Sequence, residues 1–238
     1  MDLVSLPPGA GVQVRELHIA GVDLVLSDFE GSVALDVIGS EIGNGAYDFS
    51  GIDFRPGDVV VDIGGHVGSV STWLAKAHPF LRIITFEPLP PLFALLQRNL
   101  QRNGVSNVTA LNMAVTGDGR ELEMVAHFGT NTGGGTAQLR HLDMSDHDHF
   151  VVPSTTLDRL LDDFGIDRLK LLKIDCEGSE YEVLFSSRRV GDIEHVRGEF
   201  HENPYLREKG YSMEALERYI ERFIGPDRTR YVRCEMAG

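Results

Sequence analysis

Apolar and polar positions follow one pattern in the first quarter of the chain and another pattern afterwards. Residues 12–28 alternate apolar and polar side chains on either side of Gly21, which predicts a β-hairpin. Residues 39–51 contain four glycines and predict a loop. The run VVVDI, from residue 59, predicts a buried strand. Apolar residues at helical spacing then follow over residues 66–78.

Strands and helices alternate from there onward. Strand-like segments lie at residues 81–87, 108–115, 119–128, 169–175, 195–201 and 229–235. Helical segments lie at residues 90–104, 155–165, 179–187 and 212–225. This alternation predicts an α/β fold, with a mostly parallel sheet covered by helices on both faces. The change of pattern divides the chain into a β-rich N-terminal extension (1–55) and a main domain (56–238).

Composition narrows the classes of function. The chain has 238 residues and a net charge of −14, which disfavours nucleic acid as a partner because its phosphates would be repelled. The apolar runs are far shorter than the roughly 20 residues that span a membrane. The N-terminus lacks the pattern of a signal peptide, so we expect a cytoplasmic protein. The two cysteines, Cys176 and Cys234, are interpreted as buried thiols.

A glycine-rich turn follows the first strand of the main domain. Asp62 ends that strand, and Gly64, Gly65 and Gly68 allow a sharp turn and a close approach to a ligand. A carboxylate at this point would repel a pyrophosphate and attract an ammonium group. Glu87 ends the next strand, where an acid is placed to accept hydrogen bonds from ribose hydroxyls. Together these features predict an adenosine ligand with an amino group.

Further polar residues follow the later strands. Asn112 and Ala114 end the third strand of the domain, where a small residue could face an adenine ring. Asp175 and Glu177 follow a later strand, and they could take a proton, orient a substrate or bind a divalent metal such as magnesium. Capping of the next helix is the alternative interpretation of Glu177.

The next strand adds two more side chains to the same sheet edge. Glu199 and His201 lie two residues apart, so alternation puts them on one side of the strand, near Asp175 if the strands are neighbours. His201 could serve as a base near neutral pH. The candidates for metal binding are Asp175, Glu199 and His201. The segment HLDMSDHDH has no fixed ligand spacing and is interpreted as a polar loop.

Three stretches, VVVDIGGHVG, ITFEPLPPLFALLQRNL and STTLDRLLDDFGIDRLKLLKIDCEGSEYEVL, together resemble the FkbM-type family of S-adenosylmethionine-dependent methyltransferases. The resemblance implies a Rossmann-like class I methyltransferase fold with a mostly parallel, seven-stranded sheet. The residues that it assigns to the cofactor are Tyr47, Asp62, Gly64, Gly65, His66, Gly68, Glu87, Pro88, Asn112, Ala114 and Asp175. His66 stands, with Gly65, where many relatives have alanine-asparagine.

The resemblance also implies the roles of these residues. Asp62 and the three glycines would lie beneath the methionine part, Glu87 would hold the ribose, and Asp175 with Glu177 would face the acceptor. Tyr47 would close over the cofactor. The implied reaction is O-methylation of a hydroxyl or carboxyl group on a small metabolite of bacterial secondary metabolism, with Asp175, Glu177 and His201 as catalytic candidates.

Other functions stay open at this point. The chain could bind S-adenosylmethionine without catalysis, or methylate nitrogen in a small molecule. A nicotinamide dehydrogenase is disfavoured because the motif G-x-G-x-x-G is missing. Residues 1–55, as a lid, and the insertion at 128–149 are expected to select the acceptor. The N-terminal strands are the candidate surface for a homodimer.

Overall fold

Strands and helices alternate along the chain in the computed structural model, which describes residues 11–45, 47–126 and 148–235. The strands are β1 (Val12–Ile19), β2 (Val22–Phe29), β3 (Val59–Ile63), β4 (Arg82–Phe86), β5 (Val108–Leu111), β6 (Ala114–Val115), β7 (Leu122–Ala126), β8 (Asp148–Val152), β9 (Ser154–Thr155), β10 (Leu169–Ile174), β11 (Ile193–Glu202) and β12 (Thr229–Glu235). The helices are α1 (Ala34–Asn44), α2 (Ser69–Ala77), α3 (Pro90–Arg102), α4 (Leu157–Asp163), α5 (Glu180–Ser186), α6 (Pro204–Glu208) and α7 (Met213–Ile224).

The central sheet has six strands in the order β12-β11-β10-β3-β4-β5, and every neighbouring pair is parallel. The α/β prediction is therefore confirmed. Within the described residues the sheet has six strands, so the expected count of seven is not confirmed. The strand order reverses between β3 and β10. In such sheets, ligands bind outside the carboxyl ends of the strands at this switch point.

Both faces of the sheet are buried, which explains why its strands are continuous apolar runs. Successive residues of a strand point to opposite faces, so Val60 and Val61 enter different cores. The core on the Val60 side includes Trp73 of α2 and Leu95 of α3. The core on the Val61 side includes residues of α4, α5 and α7. Helices thus cover both faces, as predicted.

Capping residues define several helix ends. The side chain of Thr156 accepts a hydrogen bond from the backbone N–H of Arg159 at the start of α4. Ser212 caps α7 in the same way. Helix α3 ends at Arg102 with Asn103 as its C-cap, and Gly104 follows with a φ of 65°, a conformation that favours glycine.

The N-terminal segment contains the predicted hairpin and one helix that was not predicted. Strands β1 and β2 pair antiparallel around Gly21. The loop expected over residues 39–51 is helical as far as Asn44, where α1 ends. The hairpin packs on the main domain, because the indole of Trp73 donates to the backbone oxygen of Ile19 at 2.9 Å. The segment therefore shares one core with α2 and α3.

Strands β7 and β8 pair antiparallel on either side of the predicted insertion. Most of the predicted insertion at 128–149, namely residues 128–147, lies outside the described residues, so its expected role in choosing the acceptor stays a prediction. Among the described helices, none combines the length and apolar character needed to cross a membrane.

Candidate functional site

A cavity of about 320 Å³ opens at the switch point of the sheet. Its wall is formed by the turns after β3, β4 and β10, by the segment after β5, and by helix α1. The volume falls within the range of roughly 300–1,000 Å³ that is typical of small-molecule sites. The sequence predicted the strand ends as part of this site, but it did not predict the wall made by α1.

The glycine turn allows β3 and β10 to approach each other closely. The backbone N–H groups of Gly64 and Gly65 both donate to the oxygen of Phe86, at 3.0 and 2.9 Å. Gly64 has a φ of 81°, and a Cβ atom there would lie 1.8 Å from the backbone oxygen of Asp175. Gly68, with a φ of 82°, faces Leu96 of α3. Gly64 and Gly65 line the cavity, and Gly68 supports the turn from behind.

Asp62 lies beneath the cavity, fully buried. Its Oδ2 accepts hydrogen bonds from Ser71 at 2.5 Å and from Thr85 at 3.2 Å. Its Oδ1 lies 3.3 Å from the ammonium nitrogen of Lys173. The carboxylate is therefore occupied by groups of the chain itself, and it holds the base of the glycine turn.

Lys173 is a buried cation that joins the ends of β3 and β10. Its Nζ donates to the backbone oxygen of Gly64 at 2.6 Å and lies 3.8 Å from Oδ2 of Asp175. Burial lowers the pKa of Lys173, but the charges of Asp62 and Asp175 outweigh burial and hold its pKa above the ordinary value. The lysine therefore stays charged and offsets two carboxylates.

Glu87 lines the cavity while remaining almost fully buried. Its Oε2 accepts from the backbone N–H of His66 and its Oε1 from that of Leu89, both at 2.8 Å. Burial raises the pKa of Glu87 to about 8. His66 adopts a φ of 50°, lines the cavity, and has its pKa lowered by burial. Pro88 also lines the cavity.

The segment after β5 contributes Met113 and Ala114 to the cavity wall. Asn112 has a different place. Its side-chain amide donates to the backbone oxygens of Glu87 and Pro88, at 2.9 and 2.8 Å. Asn112 therefore holds the end of β4 in position, and Ala114 is the predicted residue of this segment that faces the cavity.

The wall on the β10 side is acidic. Asp175 accepts a 2.6 Å hydrogen bond at Oδ2 from the hydroxyl of Tyr47. Glu177, with a φ of 53°, and Glu199 also line this part of the cavity. Glu41 of α1 faces them, and burial together with the charges of Glu199 and Asp175 raises its pKa to about 7. Glu41 is not among the residues predicted for the site, because the sequence pattern did not predict the helix α1 that carries it.

His201 lies behind the acidic wall. Its Nδ1 is 3.0 Å from Oε1 of the buried Glu180. Its Nε2 faces three carboxylates, at 3.7 Å from Glu177, 3.8 Å from Glu199 and 4.0 Å from Asp175. The predicted closeness of Glu199, His201 and Asp175 is confirmed by these distances.

The protonation of His201 follows from this environment. Burial lowers its pKa, but hydrogen bonds to Cys234 and Glu180 and the nearby carboxylates outweigh burial and raise the pKa to about 12. In the absence of a bound ion, the imidazole therefore carries a positive charge at neutral pH. A charged imidazole donates protons and cannot accept one, so this geometry favours a positioning role over that of a base.

Within the part of the chain that the structure describes, two overlapping groups of side chains could bind a metal ion. One consists of Asp175, Glu177 and His201, and the other of Glu199, His201 and Cys234. The predicted candidates Asp175, Glu199 and His201 are thus divided between the two groups. Cys234, predicted as a buried thiol, is half-buried beside His201. A spacing pattern in the sequence could not reveal Cys234 as a candidate ligand, because Cys234 lies on β12 whereas His201 lies on β11.

Comparison with known proteins agrees with this geometry. Residues 62–223, more than half of the chain, match the family described as Methyltransferase FkbM domain. The chain is 30% identical to 31-O-demethyl-FK506 methyltransferase FkbM of Streptomyces tacrolimicus, over 56% of this chain and 61% of that protein. It is 29% identical to Methyltransferase sdnD of Sordaria araneosa, over 58% and 62%.

A third relative is Methyltransferase 1 of Beauveria bassiana, at 27% identity over 55% of this chain and 59% of that protein. The chain thus spans about three fifths of the length of these curated relatives. The family match begins at Asp62 and includes the glycine turn, Glu87 and the acidic wall after β10. By this match, the chain belongs to the FkbM methyltransferase family.

Proposed function

We propose that this chain is an S-adenosylmethionine-dependent methyltransferase that acts on an oxygen atom of a small metabolite. The observation that carries the proposal is that Glu87 and Asp175 line one cavity, from the two strands that flank β3. Membership of the family implies S-adenosylmethionine as the usual methyl donor. When bound, this donor supplies a methyl group that is already activated on a sulfonium.

The residues of the cavity fit the donor. Glu87 presents carboxylate oxygens at the end of β4, where ribose hydroxyls can donate to them. Apolar side chains such as Phe86 and Met113 offer surfaces for an adenine ring. Gly64 and Gly65 leave the backbone open to the methionine part. Asp62 supports this arrangement from below the turn, since its carboxylate already has partners within the chain.

The acidic wall is suited to an acceptor that loses a proton. We assign Asp175 as the base, with Tyr47 and Lys173 fixing its Oδ2. Its Oδ1 is the oxygen assigned to receive the acceptor's proton. His201 holds the surrounding carboxylates in place, and Glu177 orients the acceptor. The rate enhancement comes mainly from positioning two reactants, which can supply several kcal/mol.

The name of one relative and the net charge of the chain both bear on the acceptor. The Streptomyces relative is named for a 31-O-demethyl compound, which supports an oxygen acceptor. The net charge of −14 disfavours nucleic acid as the acceptor. A role in bacterial secondary metabolism and a cytoplasmic location belong to the same proposal.

Calorimetric titration with S-adenosylmethionine tests the donor. We expect micromolar affinity, with NAD as the negative control. Glu87→Ala should weaken binding by about tenfold or more, because the buried side chain that would accept hydrogen bonds from the ribose hydroxyls is lost. The matched control is Glu208→Ala, since Glu208 is exposed on α6 and away from the cavity lining. Folded protein that fails to bind S-adenosylmethionine would refute the proposal.

A second experiment separates catalysis from binding alone. Methyl transfer from labelled donor to a panel of hydroxyl and carboxyl compounds should identify an acceptor. Asp175→Asn should bind S-adenosylmethionine with unchanged affinity and lose most of its turnover. If Asp175→Asn and His201→Ala both keep full turnover while folded, no base is needed at this position, as a carboxylate acceptor would allow.

A further inference from the structure

Strands β11 and β12 bring three different ligand types together behind the acidic wall. Glu199 and His201 are two residues apart on β11, so their side chains share one face. Cys234 is the register partner of His201 on the parallel strand β12. One oxygen, one nitrogen and one sulfur atom from these residues lie within 4.8 Å of one another. Ligand atoms around a single metal ion have similar separations.

The histidine is oriented in the way that metal-binding histidines usually are. Its Nδ1 lies 3.0 Å from Oε1 of the fully buried Glu180. Glu180 is fixed in turn by the backbone N–H groups of Cys176 and Gly178, which donate to it at about 3.0 Å. A carboxylate that binds one ring nitrogen fixes the tautomer and directs the other nitrogen towards a metal.

The charges around Nε2 would favour a cation. The carboxylates of Glu177, Glu199 and Asp175 lie 3.7–4.0 Å from that nitrogen. The thiol of Cys234 lies 3.1 Å from Oε2 of Glu199, so it belongs to the same group of side chains. A doubly charged ion would offset more of this negative charge than one imidazole does.

We propose that Glu199, His201 and Cys234 bind a divalent transition-metal ion of the zinc class at the acceptor end of the cavity. Sulfur and nitrogen ligands favour zinc, iron(II) or cobalt(II), whereas magnesium prefers oxygen alone. Glu199 lines the cavity, so the ion would keep one side open towards an acceptor. Glu177, whose carboxylate lies 3.7 Å from Nε2 of His201, is near enough to complete the set of ligands.

The role of such an ion in catalysis rests on the proposed function, but its binding does not. A metal ion beside the acceptor would polarise a bound hydroxyl and lower the pKa of that hydroxyl. This would assist Asp175 in removing the acceptor's proton. The metal site can be tested by binding alone, without knowledge of the acceptor.

The test is a titration of the chelator-treated chain of 238 residues with cobalt(II), which serves as an optical probe for zinc sites. We expect binding of one ion per chain with an absorption band from thiolate-to-cobalt charge transfer. Cys234→Ser should abolish this band and weaken binding by about tenfold or more, and His201→Gln should weaken it similarly. Cys176→Ser removes the other thiol and should leave the band unchanged.

Titration of the same variants with S-adenosylmethionine distinguishes a failure of the metal-site proposal from a failure of the methyltransferase proposal. Unchanged donor binding shows that each variant is folded. Donor binding without cobalt binding, or a thiolate band that survives Cys234→Ser, would overturn the metal site while leaving the methyltransferase proposal intact. Binding of magnesium but not cobalt would also overturn it. Cobalt binding by a chain that fails to bind the donor would refute the methyltransferase proposal alone.

Discussion

Tyr47 donates a 2.6 Å hydrogen bond from its hydroxyl to Oδ2 of Asp175, although 128 residues separate them in the chain. The bond joins the segment after α1 to the end of β10, on the acidic side of the cavity. The ammonium of Lys173 lies 5.3 Å from the centre of the Tyr47 ring and 3.8 Å from the same carboxylate oxygen. The tyrosine therefore helps to fix both a candidate base and the N-terminal segment.

Tyr47→Phe should lower the free energy of unfolding by about 1–3 kcal/mol, because the half-buried carboxylate of Asp175 loses a hydrogen-bond donor. For a chain of this size, the midpoint of thermal unfolding should fall by about 2–4 °C per kcal/mol. Tyr219→Phe is the matched control, since the hydroxyl of Tyr219 donates only a long 3.4 Å bond to Ser187. Equal losses in the two variants would contradict the importance of the Tyr47 contact.

Lys173→Met should destabilise the chain by about 3–5 kcal/mol, because it leaves Asp62 and Asp175 without their buried cation. Lys209→Met, at an exposed position, should change stability by no more than about 0.5 kcal/mol. Urea denaturation of the three proteins measures the difference. Adding Asp62→Asn to Lys173→Met should restore part of the lost free energy of unfolding. If the free-energy changes of the two single substitutions simply add in the double variant, Lys173 and Asp62 are not directly coupled.

Gly64→Ala should disrupt the site strongly, although it adds only one methyl group. The new Cβ would lie 1.8 Å from the backbone oxygen of Asp175, so β3 and β10 would have to separate. Gly104→Ala is the control, because Gly104 also has a positive φ but has open space around its Cα. The control should lose only about 1–2 kcal/mol from the left-handed conformation. The midpoint of thermal unfolding and the affinity for S-adenosylmethionine should both fall further in Gly64→Ala than in Gly104→Ala.

Glu87 should make the stability of the free protein depend on pH. The ordinary pKa of this carboxyl is 4.5, and burial raises it to about 8 in the folded chain. Between these values the folded state holds a proton that the unfolded state has lost. The contribution of Glu87 is therefore most favourable below pH 4.5 and is lost as pH rises towards 8, by at most about 1.4 kcal/mol per pH unit.

Denaturation of the wild type and Glu87→Gln between pH 5 and pH 8 measures this contribution. The stability of the variant relative to wild type should rise steadily with pH, because glutamine does not ionise. Glu208→Gln, at an exposed position, should show a constant difference. A constant difference for Glu87→Gln as well would show that the carboxyl is already ionised in the folded protein.

The sequence predicted most strands and helices of the main domain, because their residues repeat with a period that depends only on local backbone geometry. Strand β3 and strand β12 have the predicted bounds, and α7 differs from prediction by one residue at each end. Helix α1 was missed, since Gly39 and Gly43 weaken the helical pattern, and its stability comes from packing of residues such as Ile38 and Ile42 into the core.

The sequence predicted those residues of the candidate site that directly follow a strand of the sheet. The glycine turn, Glu87 and Asp175 follow their strands directly, and all contribute to the cavity wall. Asn112 follows β5 in the same way, yet its amide is used by the backbone of Glu87 and Pro88. Whether a polar side chain at a strand end faces the cavity or the backbone depends on neighbours that a local pattern does not specify.

By itself, the sequence determined the α/β class, the glycine turn and the acids at the ends of β4 and β10, because these follow from short-range periodicity and from the conformational freedom of glycine. Only the tertiary structure decided that Cys234 lies beside His201, that Tyr47 reaches Asp175, and that Lys173 neutralises Asp62. These contacts depend on the order and register of strands that are distant in the chain. The order and register of the strands depend on the burial of both faces of the sheet by helices. This burial involves the whole domain and cannot be read from any single segment.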